Sequence, residues 1–360
     1  MRIFLISNMY PSSEDPLFGV FVRNFKSELE KQNAIFSKTA LIRGKSNSLF
    51  KKAWRYIKHY LVCIKHYSSH DYDLIYVHYL THHLPILWFF NSRKKTIVIN
   101  SHGSDIIKLQ QNTLLKIFAN KILKKVDLIV VPTSYFKQKI LDYYPSLNAD
   151  SIFVSPSAGI ESHKFYFKGN KKTSQGLSLG FISRFIEEKG WKTYLKALLS
   201  LKQKGIPFKA LIAGKGPDEG KILNFIETQG LSNDIDFLGL VKQEELVNIY
   251  NDLDLYVFPT YREAESLGLT GLEAMSCGTP VISCDIAGPA TYIKHQENGF
   301  LFPKKDVAAL VKNILHYNGL DPRIKEEMSQ NALNTAQDYE SGVVSKSLLV
   351  KLTSLVEKTD

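Results

Sequence analysis

The chain has 360 residues, of which 44% are hydrophobic and 22% charged, the composition of an ordinary soluble globular protein. This length exceeds what one hydrophobic core usually holds, so we expect two domains. Cys63, Cys277 and Cys284 are too few and too scattered for a disulfide framework or a zinc site, which suits a reducing cytoplasm. The net charge of +11 comes from residues 1–165, where 23 Lys and Arg stand against 11 Asp and Glu, and this favours a polyanionic partner for one domain.

The first half alternates short apolar runs with amphipathic segments, which predicts parallel strands joined by helices. The predicted strands are Ile3–Ser7, Leu74–Val77, Thr96–Ile99, Leu128–Val131 and Ile152–Val154. The predicted helices are Phe21–Lys31, Phe50–His66, Leu114–Lys124 and Tyr135–Tyr143. The opening apolar run is too short for a signal peptide, and no stretch reaches the ~18 apolar residues of a membrane span.

The second half continues the alternation, which predicts a second parallel sheet. The predicted strands are Leu177–Ile182, Lys209–Ile212, Ile235–Leu238, Leu255–Phe258, Val281–Ser283 and Gly299–Phe302. The predicted helices are Trp191–Lys204, Gly220–Gln229, Gln243–Tyr250, Leu267–Ser276, Asp306–Leu315, Pro322–Leu333 and Val343–Leu355. A polar, Lys-rich segment over residues 164–176 is the predicted hinge, so we place one domain at 1–165 and another at 166–342.

The most informative stretch reads Glu265-Ser-Leu-Gly-Leu-Thr-Gly-Leu-Glu273 and follows the predicted strand Leu255–Phe258. Its helix therefore begins at the carboxyl edge of a sheet, where open α/β sheets bind ligands. The N–H groups of a helix start attract phosphate, whereas carboxylates accept hydrogen bonds from hydroxyl groups. Two acids around one helix start suit a nucleotide-sugar, which joins two polyol ends through a diphosphate. The alternative is a glutamate pair on an ordinary surface helix.

The same stretch resembles the Glu-x7-Glu signature of retaining family 4 glycosyltransferases of the GT-B fold. The resemblance implies an α/β protein with two Rossmann-like parallel-sheet domains facing each other across a cleft. In this family the terminal helix returns to the N-terminal domain, so we expect residues 343–360 to join residues 1–165. The resemblance also implies that Glu265 contacts sugar hydroxyls and that Glu273 contacts the ribose. The residues implied to lend helix amides to the donor are Ser266, Leu267, Gly268, Leu269 and Thr270.

A second element, Gly180-Phe-Ile-Ser-Arg184-Phe-Ile-Glu-Glu-Lys189-Gly190, joins a predicted strand to a predicted helix. Arg184 and Lys189 lie on one loop and can reach one anion, and two cations can neutralise a departing diphosphate. The family uses a matching Arg and Lys in this way without a metal. The alternative is a solvated basic loop.

Two elements of the first half also match the family. Gly19 precedes the first predicted helix and resembles the family's glycine loop near the donor phosphate, with an ordinary glycine turn as the alternative. His102 follows the strand Thr96–Ile99 and resembles the family histidine near the donor sugar. Asp105 is a candidate contact to acceptor hydroxyls or, equally, a cap for the following helix.

Two weaker candidates belong to the donor side. Gly214 lies in Gly214-Lys-Gly-Pro217, which resembles a Gly-x-Gly-Pro turn of the family, although family members usually carry an acid where Lys215 stands. Val241 follows the predicted strand Ile235–Leu238, in a turn that contacts the nucleobase in the family. Both segments have ordinary turns as their alternative.

The segment 50–66 separates apolar from basic residues at helical spacing, which resembles an interfacial helix attracted to anionic lipid. The membrane-contact candidates are Lys51, Lys52, Trp54, Arg55 and Lys58. The alternative is a helix whose apolar face packs on its own sheet.

The resemblance implies a retaining glycosyltransferase that uses a nucleotide-sugar, expected to be UDP-linked, with no metal and no further cofactor. The basic helix favours a lipid-linked saccharide acceptor at the inner face of the cell membrane, as in capsule, O-antigen or exopolysaccharide assembly. Two alternatives stay open. A GT-B epimerase would bind the same donor and need no acceptor. A nucleic-acid-binding protein would fit the basic charge, but no recognition motif accompanies it.

Overall fold

A computed structural model describes residues 1–46, 48–90, 95–169 and 176–358. The chain divides into two compact units, one containing Met1–Gly159 with the C-terminal segment from Ser341, the other containing Ile160–Glu340. The predicted hinge, residues 164–176, lies partly outside the described residues. Each unit is built on a six-stranded sheet, as expected for two Rossmann-like domains.

The sheet of the first unit has the strand order β2-β1-β3-β4-β5-β6, and its strand pairs are parallel. Its strands are β1 (Arg2–Tyr10), β2 (Ile35–Arg43), β3 (Leu74–His78), β4 (Thr96–Asn100), β5 (Leu128–Val131) and β6 (Ile152–Val154). Its helices are α1 (Val20–Lys31), α2 (Leu49–Tyr67), α3 (Leu80–Leu87), α4 (Ser104–Gln111), α5 (Thr113–Leu123), α6 (Ser134–Tyr143) and α13 (Ser341–Glu357). Strands β3, β4 and β5 are buried along their whole length, which explains their continuous apolar runs.

Helices cover both faces of this sheet. Helices α1 and α13 pack on one face, where Phe25 and Leu348 lie in the same core as Leu5. Helices α2 to α6 pack on the other face, with Cys63 and Phe136 in its core. The C-terminal helix therefore belongs to the first unit, because its apolar side chains complete that unit's core.

The sheet of the second unit has the order β12-β11-β10-β7-β8-β9, again with parallel strand pairs. Its strands are β7 (Leu177–Ile182), β8 (Phe208–Ala213), β9 (Ile235–Gly239), β10 (Leu255–Phe258), β11 (Val281–Cys284) and β12 (Gly299–Phe302). Its helices are α7 (Trp191–Gln203), α8 (Glu219–Thr228), α9 (Gln243–Asp252), α10 (Leu269–Ser276), α11 (Val307–Asn318) and α12 (Pro322–Gln337). Two cores, one on each face of the sheet, hold these helices in place.

Three elements of the first unit are absent from the sequence prediction. Strand β2 is an edge strand with mostly half-exposed side chains, so it lacks the apolar run of a central strand. Helix α3 contains Pro85 and three polar or histidine positions near its start, so its sequence lacks the regular helical spacing of apolar residues. Helix α4 has eight residues, too few for a clear periodic signal.

In each sheet the strand order reverses at one position. In the second unit the chain starts at β7 and builds outward on both sides, so β7 and β10 are the neighbours at this reversal. In the first unit β1 and β3 are the corresponding neighbours. The loops that follow two such strands diverge, and the crevice between them is the usual ligand site of an open α/β sheet.

Candidate active site

The loop after β7 carries Arg184 and Lys189 and is held rigidly at its middle. Phe185 is fully buried, its N–H donates to the carbonyl of Lys215 at 3.1 Å, and its own carbonyl accepts from Asp218 N at 3.1 Å. At the end of the loop Gly190 has φ 81°, and a Cβ atom there would lie 2.0 Å from the Pro259 carbonyl oxygen. Only glycine fits this close approach, so the loop is locked against the end of β10.

Lys189 and Glu265 meet where β7 and β10 end. Lys189 Nζ lies 2.6 Å from Glu265 Oε2, and both side chains are largely buried, at 14% and 11% exposure. The hydroxyl of Thr260, fully buried after β10, donates to the same carboxylate oxygen at 3.3 Å. The ammonium group also lies 5.1 Å above the ring of Phe258. The two motifs, 76 residues apart in sequence, thus form one charged pair.

Arg184 stands apart from this pair. Its side chain is exposed and makes no ion pair with any residue that the structure describes. Arg184 is therefore the free cation of the predicted clamp, whereas Lys189 is already neutralised by Glu265.

Helix α10 begins at Leu269, two residues later than the sequence predicts. Gly268 precedes it with φ 77°, and a Cβ atom at this position would lie 2.7 Å from the Phe258 ring. Because a left-handed residue cannot continue a right-handed helix, Ser266 and Leu267 belong to the loop. Leu269 and Thr270 form the first turn, whose N–H groups lack helical partners.

Glu273 lies one turn further along α10 and is the most perturbed carboxyl group of this region. Burial raises its pKa to about 7, the charge of Glu161 adds to this effect, and a hydrogen bond from the Tyr250 hydroxyl at 3.3 Å partly opposes it. The side chain nevertheless keeps partial exposure. In its ionised form this carboxyl group can accept hydrogen bonds from a ligand's hydroxyls.

Gly214 and Val241 lie on the other side of β7. The N–H of Gly214 donates to the Gly239 carbonyl at 2.7 Å, and a Cβ atom there would lie 1.8 Å from the carbonyl oxygen of Ser183. Gly214 therefore lets the loops after β7 and β8 touch. Val241 follows β9 and is half-buried against one core of the unit.

In the first unit, Gly19 and His102 lie near the carboxyl edge of the sheet. Gly19 has φ 71°, and a Cβ atom there would lie 2.5 Å from the backbone of Met9. His102 Nε2 lies 2.9 Å from His78 Nδ1, and its ring packs 4.6 Å from that of Phe21. Burial lowers the pKa of His102 to about 3, so its imidazole is neutral and can donate or accept one hydrogen bond.

Asp105 is buried and uses both carboxylate oxygens on the backbone. It accepts hydrogen bonds from the N–H groups of Leu80 at 3.0 Å, His102 at 2.9 Å and Ile106 at 3.1 Å. This geometry fits the capping alternative, in which Asp105 joins the starts of α3 and α4.

In helix α2 the predicted apolar face points away from the sheet, and the alternative of an apolar face packed on the sheet is not what the structure shows. Its outward side chains are Phe50, Trp54, Ile57, Leu61 and Ile64, at 83%, 61%, 51%, 61% and 53% exposure. These five residues form the apolar stripe, and their spacing of four and three keeps them on one face. The inward face instead buries His59 and Cys63. Packing on its own sheet therefore does not explain the apolar stripe of this helix.

Lysines flank the apolar stripe. Lys51, Lys58 and Lys65 recur every seven residues and are exposed beside it. Lys52 and Arg55, also predicted to contact a membrane, face a cavity at the carboxyl ends of β1 and β3. Among the described residues, no helix is both long and apolar enough to cross a membrane.

Several site residues escape the sequence prediction. Thr260 could have been found, because it directly follows the strand that precedes Glu265. Tyr250 could not, because it reaches Glu273 from α9, 23 residues earlier in the sequence. His78 gives no sequence signal either, since only strand pairing brings it to His102.

Comparisons with known proteins agree with this architecture. The family described as glycosyl transferases group 1 matches residues 162–335, and the family described as glycosyltransferase family 4 matches residues 19–157. A putative colanic acid biosynthesis glycosyltransferase, WcaL of Salmonella typhimurium, is 25% identical over 202 residues, covering 55% of this chain and 50% of that protein. The chain thus spans about half the length of the curated relatives it matches.

Solved structures match over almost the whole chain. A sucrose-phosphate synthase from Thermosynechococcus elongatus superposes with a TM-score of 0.79 at 19% identity, covering 99% of this chain and 100% of that one. HepE from Anabaena, solved with UDP and glucose, gives 0.72 at 18% identity, covering 98% and 100%. At such identities these structures show the fold alone. Together with the family matches, they establish that the chain belongs to glycosyltransferase family 4 and has the GT-B fold.

Proposed function

We propose that this protein is a retaining glycosyltransferase that transfers a sugar from a UDP-sugar to a lipid-linked saccharide in cell-surface polysaccharide assembly. The observation that carries the proposal is the meeting of Lys189 and Glu265 at the β7/β10 reversal, with Arg184 on the same loop as Lys189 and Glu273 on the helix that follows Glu265. Charges of both signs at this crevice suit a donor that has a diphosphate between two hydroxyl-rich ends. The UDP bound to HepE supports a UDP-sugar donor, and the names of the curated relatives support a role in polysaccharide assembly.

The donor would be held mainly by α10 and the loop before it. Free N–H groups of the first helical turn, at Leu269 and Thr270, would bind phosphate oxygens. Glu273 would accept hydrogen bonds from the ribose, and Glu265 from the transferred sugar. Lys189 would then shift from Glu265 toward the diphosphate or bridge the two groups.

Arg184 would provide the main stabilisation of the leaving group. As the bond between sugar and phosphate breaks, negative charge grows on the diphosphate, and a positioned guanidinium stabilises it most in the transition state. The acceptor oxygen attacks on the same face that the diphosphate leaves, so configuration is retained, and its proton passes to a phosphate oxygen. The chain's own cations carry the role that a metal has elsewhere, which makes the reaction metal-independent.

The acceptor side would operate at a membrane. An exposed apolar stripe flanked by Lys51, Lys58 and Lys65 has the chemistry of a helix lying in the interface of an anionic bilayer. The protein would thus be peripheral at the cytoplasmic face, where lipid-linked saccharides are extended.

The test is direct turnover with defined donors. Thermal-shift screening against UDP-, GDP- and ADP-sugars identifies the donor, because ligand at 100 times its dissociation constant stabilises a protein by ~2.7 kcal/mol. Transfer to a lipid-linked saccharide, followed by NMR of the new linkage, should show retained anomeric configuration. An inverted linkage would refute retention, and epimerised donor formed without acceptor would favour the epimerase alternative.

A further inference from the structure

His78 and His102 form a hydrogen-bonded pair at the carboxyl edge of the first sheet. His78 is the last residue of β3 and lies in register with Ser7 of β1 and Asn100 of β4. Strands therefore flank it on both sides, and it is only 1% exposed, whereas His102 follows β4 and is partly exposed. The Nδ1 atom of His78 lies 2.9 Å from Nε2 of His102, with an angle of 17° between the two ring planes.

Both imidazole rings of this pair are neutral. Burial lowers the pKa of His102 to about 3, and burial together with the neighbouring histidines lowers the pKa of His78 well below its usual value. A neutral imidazole carries one proton, on either of its two nitrogens. Only one proton can lie between His78 Nδ1 and His102 Nε2, so the ring that donates it determines the tautomer of both rings.

The other nitrogen of His78 distinguishes the two arrangements. Its Nε2 atom is buried and has no hydrogen-bond partner in the part of the chain that the structure describes. If His102 donated to His78, this Nε2 atom would carry a proton and become a buried N–H group without an acceptor. The ring of Phe25, 4.6 Å from that of His78 at an angle of 84°, would offer it only a weak contact. Buried N–H groups without a partner are rarer than under-satisfied acceptors, so His78 is the donor of the pair.

This arrangement fixes what His102 offers to a ligand. Its Nε2 atom accepts from His78, so its own proton lies on Nδ1, an atom without a hydrogen-bond partner among the described residues. The residue is held in place, because its ring packs 4.6 Å from that of Phe21 and its backbone N–H donates to Asp105 at 2.9 Å. His102 therefore presents one uncharged N–H donor at the sheet edge.

We propose that His78 is a positioning residue, which holds His102 as the Nδ1–H tautomer so that His102 donates a hydrogen bond to a sugar oxygen atom of a substrate. The inference rests on the proposed transferase function, in which both substrates contain sugars. An uncharged N–H group suits a hydroxyl or ring oxygen, whereas a diphosphate is bound best by cations. A bare Nδ1 atom would instead accept from a hydroxyl group, so His78 decides between two modes of sugar recognition.

The first experiment observes the tautomers directly, by NMR of the full chain with its histidine rings labelled with nitrogen-15. Long-range proton–nitrogen correlation spectra distinguish protonated from bare ring nitrogens, and the variants His78→Leu and His102→Gln assign the signals of the pair. We expect His102 to have a protonated Nδ1 and a bare Nε2, and His78 to have a bare Nε2. In His78→Leu, His102 should become a mixture of both tautomers. A wild-type His102 with its proton on Nε2 would overturn the proposal, whatever the activity.

The second experiment compares the kinetics of three variants whose melting temperatures verify folding. His78→Leu removes the donor to His102, whereas His78→Asn keeps an amide group that can donate in its place. A purely structural role predicts that leucine is the better replacement, because Phe21 and Phe25 surround His78 with apolar rings. The matched control is His59→Leu, which removes another buried histidine of the same unit, paired with His83 at 3.0 Å.

With the UDP-sugar that gives the largest thermal shift, we expect His78→Leu to lower kcat/KM about tenfold through the loss of one directed hydrogen bond. His78→Asn should lose less, and His59→Leu should stay close to wild type. If His78→Leu loses the excess affinity of the UDP-sugar over UDP, the hydrogen bond is assigned to the donor sugar. If that excess persists and the KM for the lipid-linked saccharide rises, it is assigned to the acceptor. Wild-type kinetics in His78→Leu, or a greater loss in His78→Asn, would overturn the proposal.

These outcomes are separable from the proposed function itself. Failure of every UDP-sugar to bind wild type would count against the transferase proposal, whereas the NMR spectra test the effect of His78 on His102 without any substrate.

Discussion

The crevice at β7 and β10 and the cavity at β1 and β3 occupy the same topological position in two similar sheets, yet their charges differ. We call the cavity at β1 and β3 the basic crevice, because Lys45, Lys52, Arg55 and Lys108 line it. At β7/β10 a lysine is neutralised by Glu265 at 2.6 Å, and a second carboxyl group, Glu273, lies nearby on α10. At β1/β3 four cations lack carboxylate partners among the described residues. The comparison teaches that the fold supplies the position of a site, whereas a few side chains decide which ligand it attracts.

Glycines support both crevices. Gly190 and Gly268 allow the loops around the β7/β10 crevice to touch Pro259 and Phe258. At the basic crevice, Gly44 has φ 66° and lies close to Ser12. The basic crevice is also lined by Tyr79, which has a side chain and yet a φ of 75°.

The largest effect should come from Arg184, the free cation of the β7/β10 crevice. Arg184→Ala should raise the activation barrier by roughly 2–4 kcal/mol, because the guanidinium acts on charge that develops in the transition state. Steady-state kinetics should show a lower kcat, whereas the affinity for the free nucleoside, which lacks the diphosphate, should stay nearly unchanged. Arg323→Ala, on the exposed side of α12, is the control. Wild-type kcat in Arg184→Ala would remove this residue from the mechanism.

The lysines beside the apolar stripe should govern membrane binding. Replacing Lys51, Lys58 and Lys65 with Ser should weaken binding to anionic vesicles by up to ~3 kcal/mol, at about 1 kcal/mol per charge. Sedimentation with vesicles at increasing salt measures this, since screening over ~8 Å weakens the attraction.

Three exposed lysines of the second unit provide a control for this prediction. The variant Lys192→Ser, Lys196→Ser, Lys204→Ser removes the same charge elsewhere. Equal loss of vesicle binding in both triple variants would show that net charge, and not helix α2, directs the protein to membranes.

Glu273 should make donor binding depend on pH. Its pKa of about 7 lies above the ordinary 4.5, so the proton must leave before the carboxylate can accept ribose hydrogen bonds. UDP affinity should therefore be constant above pH 7 and fall up to tenfold per pH unit below it. Glu273→Gln should remove this dependence and weaken UDP binding at pH 8 by roughly 1.5–3 kcal/mol.

Titration calorimetry at several pH values measures the effect of Glu273. The control is Glu263→Gln, an exposed carboxylate in the loop before α10, which should keep the wild-type pH profile. A pH profile in Glu273→Gln identical to wild type would assign the titration to another group.

The smallest effect is expected from metal removal. If Arg184 and Lys189 neutralise the leaving diphosphate, EDTA should change turnover less than twofold. Loss of activity with EDTA, restored by magnesium or manganese, would contradict metal independence.

Helix α2 shows what a sequence pattern can predict and what it leaves open. Its periodicity correctly separates an apolar face from a basic one, but the same pattern fits a helix packed on its sheet and a helix facing outward. Burial of His59 and Cys63 and exposure of Phe50 and Trp54 decide between them. That choice depends on what the rest of the sheet offers for packing, which a local pattern does not contain.

The sequence by itself determined the two-domain α/β architecture and the family, because alternating apolar runs and the stretch from Glu265 to Glu273 are local signals. It also identified Arg184 and Lys189 as residues of one loop. Only the tertiary structure decided that Lys189 pairs with Glu265, that Tyr250 donates to Glu273, and that the basic crevice gathers Asn8 with the lysines around it. These arrangements join residues distant in sequence through parallel strand pairing, so their geometry exists only once the sheets have formed.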